Sequence, residues 1–117
     1  MPDRLKPISW LKPARKEFEG FPAGARERVL QALDIAASGS MAGIAKPLKG
    51  FGSGVFEVAL KFRTDAFRVV YAVQLGDALW VVHAFQKKST SGIKTSQGDL
   101  DLVRQRIKQI VEHLSNG

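Results

Sequence analysis

The chain has no cysteine, only two histidines and a single tyrosine in 117 residues. Without cysteine there is no disulfide, no thiolate nucleophile and no cysteine-ligated metal. His83 and His113 are the whole histidine complement, so neither a dedicated zinc site nor any other metal or cofactor is expected. No apolar run is long enough to span a bilayer, and none follows the Met1-Pro2-Asp3-Arg4 start to make a signal peptide. These absences lead to the expectation of a cytoplasmic protein with no membrane partner. Acidic residues are also scarce: 11 Asp+Glu face 18 Lys+Arg, leaving a formal net charge of +7. That balance favours an anionic partner, although a soluble protein can be basic for no functional reason.

What is present reads as one domain, residues 1–117, with no repeat, linker or low-complexity tract. At 44% hydrophobic residues it can bury a core. Ile8-Ser9-Trp10-Leu11 is a candidate first strand. Pro13 suits the first turn of a short helix, Ala14 to Glu19, which Gly20 ends. Pro22 to Ser38 is a longer helix whose apolar stripe is Val29, Leu30, Leu33, Ala36 and Ala37, stopped by Gly39. Ser40 to Lys46 reads as loop. Val55 to Arg63 alternates, with Phe56, Val58, Leu60 and Phe62 against Glu57, Ala59, Lys61 and Arg63. Phe67 to Leu75 and Ala78 to Phe85 are rich in β-branched and aromatic residues, joined by a tight turn at Gly76-Asp77. Gln86 to Gly98 is polar. Asp99 is the expected N-cap of a last helix, Leu100 to Leu114, with Leu100, Val103, Ile107, Ile110, Val111 and Leu114 as its stripe and Arg104, Arg106 and Lys108 opposite.

The Gly76-Asp77 turn sets Val70 opposite His83 and Arg68 opposite Phe85. A four-residue loop at Thr64 to Phe67 would set Arg63 opposite Arg68 and Lys61 opposite Val70. Glu57, Lys61, Arg63, Arg68, His83 and Lys87 then share one face. Phe62, Val69, Tyr71, Trp80 and Val82 share the other, against the helices. Opposed arginines repel, and a bound anion such as a phosphodiester relieves this; a solvated basic sheet face is the plain alternative. Lys87-Lys88 ends a strand at a polar loop, where a lysine can hold a phosphate or protonate a leaving oxygen, or merely solubilise the strand end. His83 is either a packed core histidine or a candidate acid or base. Glu57 is a candidate base for a 2′-hydroxyl, or a salt-bridge partner of Lys61. The glycine run Gly50-Phe51-Gly52-Ser53-Gly54 lacks the Gly-Lys-Ser/Thr ending of a nucleotide loop, and no helix follows it.

The order of elements, with Leu48-Lys49-Gly50, Phe56-Glu57-Val58, Phe67-Arg68-Val69-Val70-Tyr71, Phe85-Gln86-Lys87-Lys88-Ser89 and a closing helix, resembles the RelE/ParE toxin superfamily, and within it the HigB-like, phage-related branch of type II toxin–antitoxin toxins. The resemblance implies an α+β fold: a RelE-like microdomain with N-terminal helices packed on a small, twisted, mainly antiparallel sheet, and a C-terminal helix. It implies a metal-independent mRNA endoribonuclease acting on translated message at the ribosome. It implies a cognate antitoxin partner, commonly a helix-turn-helix DNA-binding protein. Arg68 matches the family's phosphate-contacting arginine. Lys88 and Lys87 match its basic strand end, and Lys61 a basic position of the preceding strand. Glu57 and Ala59 depart from the lysine-rich pattern, and Lys94 lies near the place of a family tyrosine. The expected catalytic set is therefore Arg68, Lys88, Lys87, Glu57 and His83, with Lys61, Arg63, Lys49 and Lys94 binding RNA. The same superfamily contains ParE-like gyrase inhibitors, and a non-catalytic nucleic-acid-binding module is the remaining alternative.

Overall fold

The computed structural model describes residues 5–87 and 95–116; Lys88 and Lys94 lie outside them. The elements run β1 (Ile8–Trp10), α1 (Lys12–Glu19), α2 (Ala23–Ala37), β2 (Ala45–Pro47), β3 (Val55–Phe62), β4 (Asp65–Leu75), β5 (Ala78–Lys87) and α3 (Gln97–Asn116). The strands form one sheet in the order β1-β5-β4-β3-β2. Only β1 is parallel to its neighbour, β5; the other pairs are antiparallel. This is an α+β fold, and helices cover both faces of its sheet.

Two hydrophobic clusters follow from strand alternation. On one face α1 and α2 bring Ala14, Phe18, Ala25, Val29 and Leu33 against Val58, Leu60, Phe67, Val69, Tyr71 and Val81. On the other, α3 brings Val103 and Ile110 against Leu48, Val55, Val70, Ala72 and Val82. The second cluster lies on the same side as Arg68 and His83, so the expected open cationic face is roofed by a helix along part of its length.

Several expectations change. The hairpin turn at Gly76-Asp77 is present, with Leu75 opposite Ala78, Val70 opposite His83 and Arg68 opposite Phe85, and with φ of 66° at Gly76. However, register shifts occur between Val70 and Tyr71 and between Ala72 and Leu75. The first makes Val82 the extra residue and turns it, with Trp80, onto the α3 face rather than towards α1 and α2. The β3–β4 connection is a two-residue turn at Arg63-Thr64, not a four-residue loop: Phe62 pairs with Asp65, Lys61 with Ala66, Ala59 with Arg68 and Glu57 with Val70. A slip of an even number of residues preserves the faces, so Glu57, Lys61, Arg68, His83 and Lys87 still share one side. Arg63 leaves it for the turn, where its φ is 60°. The expected Arg63–Arg68 juxtaposition is absent, and the argument for an anion between opposed arginines goes with it.

The stretch read as loop ends in a short edge strand, β2, whose Pro47 is tolerated there. Leu30 is 44% exposed, so the α2 stripe loses it and gains Ala25 and Ala32 beside Val29, Leu33, Ala36 and Ala37. Val111 and Leu114 are likewise exposed, and the buried stripe of α3 includes Arg106, which was expected on its solvent side. Ser96, not Asp99, caps α3: its Oγ accepts the Asp99 backbone N–H at 3.1 Å and donates to the Asp99 carboxylate at 2.7 Å. Among the described residues no helix is long and apolar enough to cross a membrane.

Candidate nucleic-acid interface

The sheet register builds the site in three cross-strand rows. Lys61, Ala66 and Lys87 form the outermost row; Ala59, Arg68 and Phe85 the next; Glu57, Val70 and His83 the third. Lys46 of β2 stands opposite Glu57 and extends the third row to the sheet edge. Directly paired residues share a face, and rows lie about 7 Å apart along the strands. Ala59 and Ala66 are small, so they leave a low floor. Lys61 and Lys87 flank Ala66, and Arg68 and Phe85 stand beside Ala59. Lys61 and Lys46 are exposed and Lys87 is half-buried.

Arg68 is 8% exposed and Glu57 2%. The guanidinium donates to the Glu57 carboxylate at 3.1 Å and to the Thr95 hydroxyl at 3.4 Å, while Thr95 donates to the other Glu57 oxygen. Both carboxylate oxygens are thus engaged, and the salt-bridge partner of Glu57 is Arg68, not Lys61. A buried ion pair of this kind fixes the guanidinium at the floor of the patch, because each charge would be costly there alone.

His83, 4% exposed, belongs to a second network that ties three elements together. Its Nε2 lies 2.8 Å from Asp99 Oδ1 at the start of α3. Its Nδ1 lies 3.3 Å from both Glu17 Oε1 and Arg106 Nη1. Arg106 also donates to the Val82 carbonyl at 2.9 Å and to both Glu17 oxygens. Glu17 reaches from α1 past the edge of β5, where it accepts the Ala84 backbone N–H at 3.3 Å. Burial works against a charge on Asp99, but hydrogen bonds from His83 and Ser96, and then the charges of His83 and Lys87, outweigh it and hold the carboxyl below its usual range. An ionised Asp99 keeps a proton on Nε2. The neutral ring then accepts from Arg106 at Nδ1, and the charged ring donates to Glu17 instead. His83 stacks on Phe85 at 4.8 Å between centroids, and Lys87 Nζ lies 6.0 Å from the Phe85 centroid.

Sequence reasoning brought Arg68, Glu57, His83, Lys61 and Lys87 to one face, and the structure gathers them there. It separates Arg63, which stacks over Phe62 at 5.4 Å, and puts Lys49 in the exposed β2–β3 connection. Glu17, Thr95, Asp99 and Arg106 were missed as partners. The available signal was helical spacing: Arg106 falls three residues after Val103 and four before Ile110, and Glu17 three after Ala14, so both border buried stripes. Among the described residues no group of three or more His, Asp or Glu could hold a metal ion.

A family model described as "Phage derived protein Gp49-like (DUF891)" matches residues 16–108. No curated protein matches the sequence. Among solved structures, a mutant of the E. coli toxin RelE in the free state aligns with a TM-score of 0.57 at 17% identity, covering 92% of this chain and 99% of that one. The RelBE2 toxin–antitoxin complex from Mycobacterium tuberculosis aligns with a TM-score of 0.50 at 15% identity, covering 76% of this chain and 100% of the other. At these identities the likeness is one of fold.

Proposed function

The chain belongs to the phage derived Gp49-like family, within the RelE/ParE toxin superfamily, and from that premise we propose that it is the toxin of a type II toxin–antitoxin pair that cleaves mRNA on the ribosome. The observation that carries this reading is the patch around Ala59 and Ala66, where Lys61 and Lys87 flank small residues beside the Phe85 ring and the Glu57-anchored Arg68 stands in the neighbouring row. Three cations about a shallow floor suit a phosphodiester, and an aromatic ring beside them suits an unstacked base.

The chemistry is transfer of the 2′-oxygen to the adjacent phosphorus. The P–O5′ bond breaks, leaving a 2′,3′-cyclic phosphate and a 5′-hydroxyl, with no water consumed in that step. Arg68 with Lys61 and Lys87 stabilises charge developing on the phosphorane oxygens. A lysine at the strand end, Lys87 or the neighbouring Lys88, protonates the departing oxygen. Two groups can take the 2′-proton: Glu57 by releasing Thr95, or His83 at Nδ1 by releasing Arg106. The antitoxin would be an acidic or amphipathic partner that meets the basic surface.

The test is cleavage of a short message on translating ribosomes by purified protein, with the new ends characterised. Wild type should yield 5′-hydroxyl and 2′,3′-cyclic phosphate ends, and Arg68→Lys and Lys87→Gln should each reduce the rate at least tenfold. Lysine keeps a positive charge beside Glu57 but not the planar fork. Binding of RNA without cleavage would instead support a non-catalytic module, and inhibition of gyrase without cleavage a ParE-like action.

A further inference from the structure

The β2–β3 connection and α3 hold an exposed arginine in a fixed pose. The Arg104 guanidinium lies over the Phe51 ring, 4.6 Å from its centroid. It also donates to the Gly50 carbonyl at 3.4 Å and sits 3.6 Å from Asp101. Yet its side chain is 54% exposed. Exposed arginines normally keep most of their rotamer freedom, and ordering one is entropically unfavourable. Here an aromatic face, a carbonyl and a carboxylate restrict it together. Gly50, at a φ of 91°, brings its carbonyl within reach, and a Cβ there would lie 3.7 Å from Arg104 Nη2.

The surroundings are cationic. Lys49 is exposed beside Gly50, and Lys108 is exposed one turn along α3 from Arg104. Lys46 is exposed on β2 and shares the face of Glu57 and Arg68. The carboxylate nearby, Asp101, is paired with Arg104. Lys46, opposite Glu57, and Lys49, next to Gly50, thus fall on the stretch of chain that runs from the sheet face to the Arg104 contact.

We propose that Arg104, lying over the Phe51 ring, is a stacking platform for an unpaired RNA base, with Lys46 and Lys49 binding the phosphates between it and the Arg68 patch. A guanidinium plane resting on an aromatic ring offers its outer face to a base, and bases without a partner strand stack readily on such planes. This deepens the reading above, on which it rests, by assigning a second RNA contact outside the reacting phosphate.

The test uses the full chain and single-stranded 2′-O-methyl oligoribonucleotides, which lack the attacking hydroxyl. Each carries 2-aminopurine at one position, stepped along the strand. Affinity is read by anisotropy and stacking by 2-aminopurine quenching. Wild type should bind and quench at one position. Arg104→Gln and Arg104→Lys should both weaken binding by roughly tenfold and abolish the quench, since lysine keeps the charge but loses the plane. Lys46→Gln and Lys49→Gln should each lower the slope of log affinity against log salt by about 0.7. Full retention of affinity and quench by Arg104→Lys would overturn the stacking claim. Weakening by Lys61→Gln and Lys87→Gln with no effect of the Arg104, Lys46 or Lys49 changes would overturn this inference alone. Absence of RNA binding by wild type would overturn this inference, while the cleavage assay on translating ribosomes decides the nuclease reading separately.

Discussion

The Arg68–Glu57 pair shows how one residue serves fold and site together. Both side chains are nearly sealed from solvent, and Thr95 takes the second carboxylate oxygen. Arg68→Ala should destabilise the protein by about 3–5 kcal/mol, because it strands a buried carboxylate. Replacing both partners, as in Glu57→Met with Arg68→Met, should recover most of that loss. Urea denaturation checks both, and a cost for Arg68→Ala within about 1 kcal/mol of zero would mean that the pair is not held as described. Loss of toxicity in Arg68→Ala would therefore mix folding with chemistry, which is why Arg68→Lys is the more informative change. The face that Arg68 occupies was legible in the sequence, since alternation alone sets it. Its burial was not, because nothing in β3 or β4 announces that a distant helix will cover part of their surface. Arg63 was misjudged for a local reason: it adopts a φ of 60° without being glycine or asparagine, so the turn carried no sequence signal.

At the scale of elements, α3 is attached to the sheet by apolar contacts along its length and by the His83 network at its start. Asp99 is the hinge of that attachment, since it receives the Ser96 hydroxyl and faces His83 Nε2. Its carboxyl is held below the usual range in the folded protein, so the unfolded chain binds the proton more readily between the two pKa values. The stability it contributes is present above the ordinary carboxylate range, near about 4, and is lost as pH falls through the lower folded value. Asp99→Asn should therefore lower stability at neutral pH and flatten its fall in acid; an unchanged dependence of the urea midpoint on pH would refute the role. Long periodic segments were the legible ones: α2, β3, β4, β5 and α3 were all present in the pattern. The three-residue strand β2 was not, because so short an edge strand has no period to detect. Nor was the bulge at Val82, which a run of apolar residues on both sides conceals.

For the whole molecule, the arrangement is a sheet with α1 and α2 on one face and α3 on part of the other. Among the described residues, the α3 cluster does not extend to the end of the second face around Ala59 and Ala66, where Lys61 and Lys87 stand, on a chain whose net charge is +7. Family membership and the RelE fold set the class of protein; the patch supplies the reason to expect a phosphodiester there. The most direct test is to induce wild type, Arg68→Lys and Lys87→Gln in cells lacking the antitoxin, at matched levels of folded protein, and to map new 5′-hydroxyl ends across the mRNA. Growth arrest with in-frame cleavages in wild type, and loss of both in the two variants, is the predicted result. Arrest without new mRNA ends, or cleavage undiminished in both variants, would contradict it.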